Sequence, residues 1–98
     1  MLTLTLPALV AGRDLADALV DKLNDDGGSV PVFVDARRLE SGTSSFAAQL
    51  VRRILLDRNA EQLILVGAPP SFAGYVRDAA IKLKVSNKLD TRDVAAAS

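Results

Sequence analysis

Four hydroxyl side chains fall within five positions of this chain, Ser41, Thr43, Ser44 and Ser45, in the run Ser41-Gly42-Thr43-Ser44-Ser45-Phe46. Two readings are open for such a cluster. At a helix start, hydroxyls and a glycine stand beside unpaired backbone N–H groups, where an oxyanion is at home and where one hydroxyl could carry a phosphate. Alternatively the hydroxyls only close the first turn, with Thr43 or Ser44 accepting a backbone N–H as a cap. Nucleophilic chemistry is the poorer fit, because a Ser needs a base beside it and the chain has neither His nor Cys. The same absences remove disulfides, thiolate metal sites and the commonest metal ligand. Neither a P-loop nor a GxGxxG pattern occurs. No catalytic residue, metal or cofactor is expected.

Charged and amide side chains flank the cluster: Arg37 and Arg38 before it, Gln49, Arg52 and Arg53 after it. Arg52 and Arg53 are adjacent, so on a helix they point about 100° apart and cannot both face a core. With Ser41 and Thr43, these five side chains are the expected partner-binding surface, and Ser44 and Ser45 the expected phosphorylation candidates. A merely solvated helix face is the competing account of the arginines. Twelve basic residues balance twelve acidic ones, which leaves no electrostatic footprint for nucleic acid or an anionic membrane. The balance is uneven along the chain. Met1 to Ala36 holds two basic against six acidic residues, the remainder ten basic against six acidic. Opposite halves suit head-to-tail self-association or an oriented partner, although separate solvated faces give the same count.

Three strand-then-helix units must position these groups. Leu and Thr alternate from Leu2 to Leu6, the period of a strand with one covered face. Leu15, Ala18, Leu19 and Leu23 then recur at helical spacing between Gly12 and Asn24, and Asp25, Asp26, Gly27 and Gly28 end that helix. Val30 to Val34 is a continuous apolar run, predicting a central strand buried on both faces. Phe46, Leu50, Val51, Ile54 and Leu55 trace the inner stripe of a second helix reaching Asn59. Gln62 to Val66 is another buried strand. A third helix follows Pro69 and Pro70, with Ser71 as its cap and Phe72, Tyr75, Val76, Ala79, Ala80 and Leu83 inside, the Tyr75 hydroxyl at the rim. A short last strand is expected near Val85 to Leu89.

Strands alternating with helices imply right-handed crossovers. The predicted fold class is therefore α/β: a small, mostly parallel or mixed sheet of three or four strands with three helices, in the order β-α-β-α-β-α. Residues 1–89 make one domain, and 90–98 a flexible C-terminal tail. Ala8 to Arg13, Ala36 to Ser45 and Gly67 to Ser71 should meet at the carboxyl edge of the sheet, where open α/β sheets place their sites. Arg13 would then lie near Ser44, where it could hold an anion. No basic leader precedes an apolar stretch, and no apolar run approaches the roughly 20 residues that span a bilayer. A cytoplasmic protein is expected.

The segment VFVDARRLESGTSSFAAQLVRRIL resembles the STAS and STAS-like domains, which include the bacterial anti-sigma factor antagonists. In those domains a buried strand ends in Asp or Asn, a short loop holds one apolar residue, and an Asp-Ser-Ser or Ser-Ser-Phe element opens the next helix. Asp35, Leu39 and Thr43-Ser44-Ser45-Phe46 take these places here. GRDLADALVDKL is similar to the first helix of STAS-like proteins, so the likeness runs from Gly12 to Leu83. It implies a protein partner, an anti-sigma factor or related kinase, and it places the phosphorylated Ser of the antagonists on Ser44. Thr43 stands where the antagonists have Asp and Phe46 where they have Gly, which brings the chain nearer the Ser-Ser-Phe branch.

Three functions follow as expectations. The first is a non-enzymatic, regulatory interaction module of bacterial or phage origin, switched at Ser44 or Ser45. The second is an unmodified structural or inhibitory interaction protein, including a homo-oligomer. The third is a binder of a phosphate- or nucleotide-bearing ligand.

Overall fold

The Leu/Thr alternation of the first strand, β1 (Leu2–Thr5), sorts its two faces: Leu2 and Leu4 are buried while Thr3 and Thr5 are exposed. The computed structural model describes residues 2–23 and 30–92. After β1 come β2 (Leu9–Val10), α1 (Arg13–Asp21), β3 (Val32–Asp35), β4 (Ser41–Gly42) and α2 (Ser44–Val51). The α2 helix runs on without a break as a wider π-helical segment, Arg52–Asp57, and is followed by β5 (Leu63–Val66), α3 (Pro70–Lys82), a 3-10 turn at Ser86–Lys88 and β6 (Leu89–Arg92). The predicted stop at Asp25–Gly28 and the tail from residue 93 onward lie outside the described residues.

Four strands form one parallel sheet in the order β1-β3-β5-β6, and β2 and β4 make a separate parallel pair. The large sheet follows chain order, so each crossover steps in the same direction. Right-handed steps in one direction put every helix on one face of the sheet. The burial pattern agrees. Leu2, Leu4, Val32, Val34, Leu63 and Leu65 join the helix residues Ala16, Val20, Phe46, Leu50, Ile54, Phe72, Val76 and Ala80 in one core.

The other face carries two cross-strand rows, Thr3-Phe33-Ile64-Asp90 and Thr5-Asp35-Val66-Arg92. No helix covers it among the described residues. The expectation of a central strand buried on both faces is therefore corrected: Val32 and Val34 are buried, but Phe33 and Asp35 are only half-buried. A run of apolar residues hides this because Phe33 is apolar and yet faces outward, where the Arg92 guanidinium lies 5.8 Å from its ring centre.

Four further expectations change. Ser71 is not a cap: Pro69, with extended ψ of 148°, occupies the N-cap position and Pro70 the first helical one, with no side-chain cap bond. A proline forces the residue before it out of the helical region, and its own φ is preset for a first turn. Tyr75 is 39% exposed, and Ala73 takes a place on the inner face. On α1 the buried residues are Ala16 and Val20, flanked by half-buried Leu15 and Leu19, whereas Ala18 is exposed. At the end of the domain, β6 extends to Arg92, so residues 90–92 belong to the sheet and not to a tail. None of the described helices is long and apolar enough to cross a membrane.

Candidate functional site

The carboxyl edge of the sheet gathers the expected loops through backbone bonds. The Ala8 carbonyl accepts from the N–H groups of Glu40 and Ser41 at 2.7 and 3.1 Å, and the Val10 carbonyl from Thr43 at 3.2 Å. The Ala36 N–H donates to the Val66 carbonyl at 2.9 Å. Gly42 lies directly over α3. A Cβ built there would stand 2.6 Å from Cδ1 of Phe72, whose ring is fully buried and 6.1 Å from that of Phe46. Only glycine allows this approach. The loop is therefore pressed against the core on one side and lifts its hydroxyls into solvent on the other: Ser41, Thr43, Ser44 and Ser45 are all exposed, while Leu39 and Phe46 are buried.

Within the cluster the hydroxyls have different duties. Thr43 is the N-cap of α2, and its Oγ1 accepts from the Phe46 N–H at 3.2 Å and from the Gly12 N–H at 3.3 Å. Both lone pairs of that oxygen are thereby used, so in its 3.2 Å contact with Ser45 Oγ it is Thr43 that donates. Gly12 reaches this position with a φ of 83°, a region open to glycine. One Thr thus closes α2 and ties it to the start of α1. Ser44 makes no side-chain hydrogen bond among the described residues.

The flanking residues of the expected docking surface divide among three places. Arg37 lies on the uncovered sheet face, where its Nε and Nη2 donate to Asp35 at 2.9 and 2.8 Å. Its backbone N–H adds a third bond at 3.1 Å. The guanidinium bonds first, then this backbone donor, hold the Asp35 carboxyl below its ordinary value. Arg38 is exposed nearby.

Gln49 and Arg53 turn the other way, onto α1. Gln49 Nε2 and Arg53 Nη1 both donate to Asp17, at 2.9 and 2.7 Å, and Arg53 Nη2 donates to Asp21 at 2.6 Å. Asp57 lies 3.5 Å from Arg53 Nε. The Gln49 bond and then the Arg53 bond lower the Asp17 carboxyl, while Asp17 and Asp21 raise the Arg53 guanidinium. Arg53, expected in the partner surface, is therefore a staple between two helices. The reason is topological: parallel crossovers set α1 against α2 with Asp17 facing Arg53 across 36 positions of sequence.

Arg52 alone of the pair faces outward. It lines a groove between α2 and α3 together with Arg13, Ala48, Gln49, Ala79, Lys82 and Leu83. Arg13, expected beside Ser44, thus lies against the α2 residues Ala48 and Arg52, whereas the place of Lys82 was not legible in the sequence, since nothing local joins the end of the third helix to the other two. Among the described residues no group of three His, Cys, Asp or Glu side chains is placed to hold a metal ion. Comparison with family models, with curated proteins and with solved structures finds no match for this chain.

Proposed function

We propose that the chain is a non-enzymatic protein-interaction module of the STAS-like, anti-sigma-antagonist kind, acting in the cytoplasm and switched by phosphorylation of Ser44. The observation that carries this reading is the division of labour at the start of α2. Thr43 supplies the cap and Ser45 contacts it, whereas the exposed Ser44 has no structural bond among the described residues. A phosphate there adds about −1.5 to −2 charges without dismantling the fold, and it changes what an approaching partner meets. The partner this reading implies is an anti-sigma factor or a related kinase.

The test combines two measurements. Mass spectrometry of the protein from its native host should place a phosphate on Ser44. A partner retained by the wild-type chain should bind Ser44→Asp more weakly by about 1 kcal/mol or more. An unmodified Ser44 with an unchanged set of partners would remove the switch. A second reading, an unmodified interaction protein that self-associates, is favoured by the sheet face without a helix, where Phe33 and Val66 are half-buried. It predicts concentration-dependent dimers in sedimentation that Ser44→Asp leaves unchanged.

A further inference from the structure

Six cations of this chain divide into two sets by their surroundings. Arg37, Arg53 and Arg92 are engaged with Asp35, with Asp17, Asp21 and Asp57, and with Asp90. These pairs take up Asp17, Asp21 and Asp35, half of the six acidic residues before position 37. Arg13, Arg52 and Lys82 make no ion pair or hydrogen bond among the described residues, are exposed, and line the same groove between α2 and α3 although they come from three different helices. The floor between them is apolar: Ala48 and Ala79, with half-buried Leu83.

We propose that this groove is the docking site for an acidic segment of a protein partner, whose carboxylates pair with Arg13, Arg52 and Lys82 while an apolar side chain between them rests on Ala48, Ala79 and Leu83. Charge complementarity selects the occupant. Three cations with no counter-ion among the described residues repel one another and gain from carboxylates brought among them. The cavity, about 190 Å³, accepts a side chain or two and is below the size of ordinary cofactor pockets, about 300 Å³ and upward. A small anion also gains nothing from the apolar floor, which a peptide side chain would cover. The proposal deepens the interaction-module reading and rests on it. Ser44, Ala48 and Arg52 are spaced four apart, so they follow one stripe of α2, and a phosphate on Ser44 would compete with the partner's carboxylates for the same cations.

Fluorescence anisotropy with the full chain decides the matter, using as probe a labelled helical peptide of Glu and Leu and, as comparison, the same peptide with Lys for Glu. The acidic peptide should bind, and more weakly as salt rises. Arg52→Glu with Lys82→Glu should lower its affinity at least tenfold. Lys22→Glu with Lys88→Glu, an equal change of net charge elsewhere, should lower it less than twofold, each variant being checked for folding by circular dichroism. Equal losses in the two pairs, absence of binding, or displacement of the peptide by inorganic phosphate beyond an ionic-strength-matched chloride control would overturn the proposal. Ser44→Asp separates the two claims: undiminished affinity there sinks the switch and leaves the groove standing, whereas undiminished affinity in Arg52→Glu with Lys82→Glu sinks the groove alone.

Discussion

Thr43 Oγ1 serves three neighbours at once, the N–H of Phe46, the N–H of Gly12 and the hydroxyl of Ser45. Losing a Thr cap typically costs about 1 to 2 kcal/mol, and here the loss also leaves the Gly12 donor without its partner. Thr43→Ala should therefore lower stability in urea denaturation by about 1 to 2 kcal/mol, and Thr43→Ser should restore most of it. Ser44→Ala should stay within about 0.5 kcal/mol of wild type, as surface changes away from caps usually do. Equal costs at the two positions would mean that Ser44 has a structural duty. The contrast also protects the phosphorylation test. A carboxylate at the first position of a helix is favoured by the dipole, so weaker partner binding by Ser44→Asp could not be blamed on unfolding.

At the scale of elements, α1 and α2 are held by Arg53, which reaches Asp17 and Asp21 from the start of the π-helical segment. The wider turn is closed by the Arg58 N–H donating to the Arg53 carbonyl at 2.9 Å and the Ala60 N–H to that of Ile54 at 3.0 Å, with Asn59 at a φ of 53° ending the helix. Asp17 and Asp35 both titrate below the ordinary carboxylate value of 3.8. The folded chain thus binds these protons less readily than the unfolded one. Their stabilisation is present above the unfolded value of 3.8, reaching its full size about a pH unit higher, and is lost as pH falls through the folded-state values. Asp17→Asn should consequently be less stable than wild type near neutral pH, and the gap in thermal midpoint should close as pH falls from about 5 to about 2. A gap that stays constant over that range would show that the Asp17 charge plays no part.

For the molecule as a whole, the main consequence is a sheet with its helices on one side. Val34 is fully buried and its neighbour Phe33 is half-buried on the uncovered face. Val34→Thr puts a hydroxyl in the core and should cost about 1 to 3 kcal/mol. Phe33→Thr should cost less than about 1 kcal/mol, well short of the 3 to 5 typical of a core aromatic. A core-sized loss at Phe33 in chemical denaturation would mean that something does cover this face. Periodicity in the sequence was enough to place the βα order, the three helices and the exposed hydroxyl loop, because each is written in consecutive residues. The uncovered face was not legible: in Val32-Phe33-Val34 and in Leu63-Ile64-Leu65 both faces carry apolar side chains, so alternation is masked. The bridges β2 and β4 hold only two residues each, too few to show a pattern, and β6 reads Leu-Asp-Thr-Arg, which resembles a tail. The division of the arginines depended on which helices become neighbours, and that is a property of the crossovers. The strand order has a further effect on how the chain comes to be folded. Each strand of the main sheet pairs with the one synthesised just before it, so β1 and β3 can join while the last third of the protein is still on the ribosome. This order lets assembly proceed from the amino end without waiting for a distant partner strand, a route with short loops to close and little time for bare strand edges to meet those of other nascent chains.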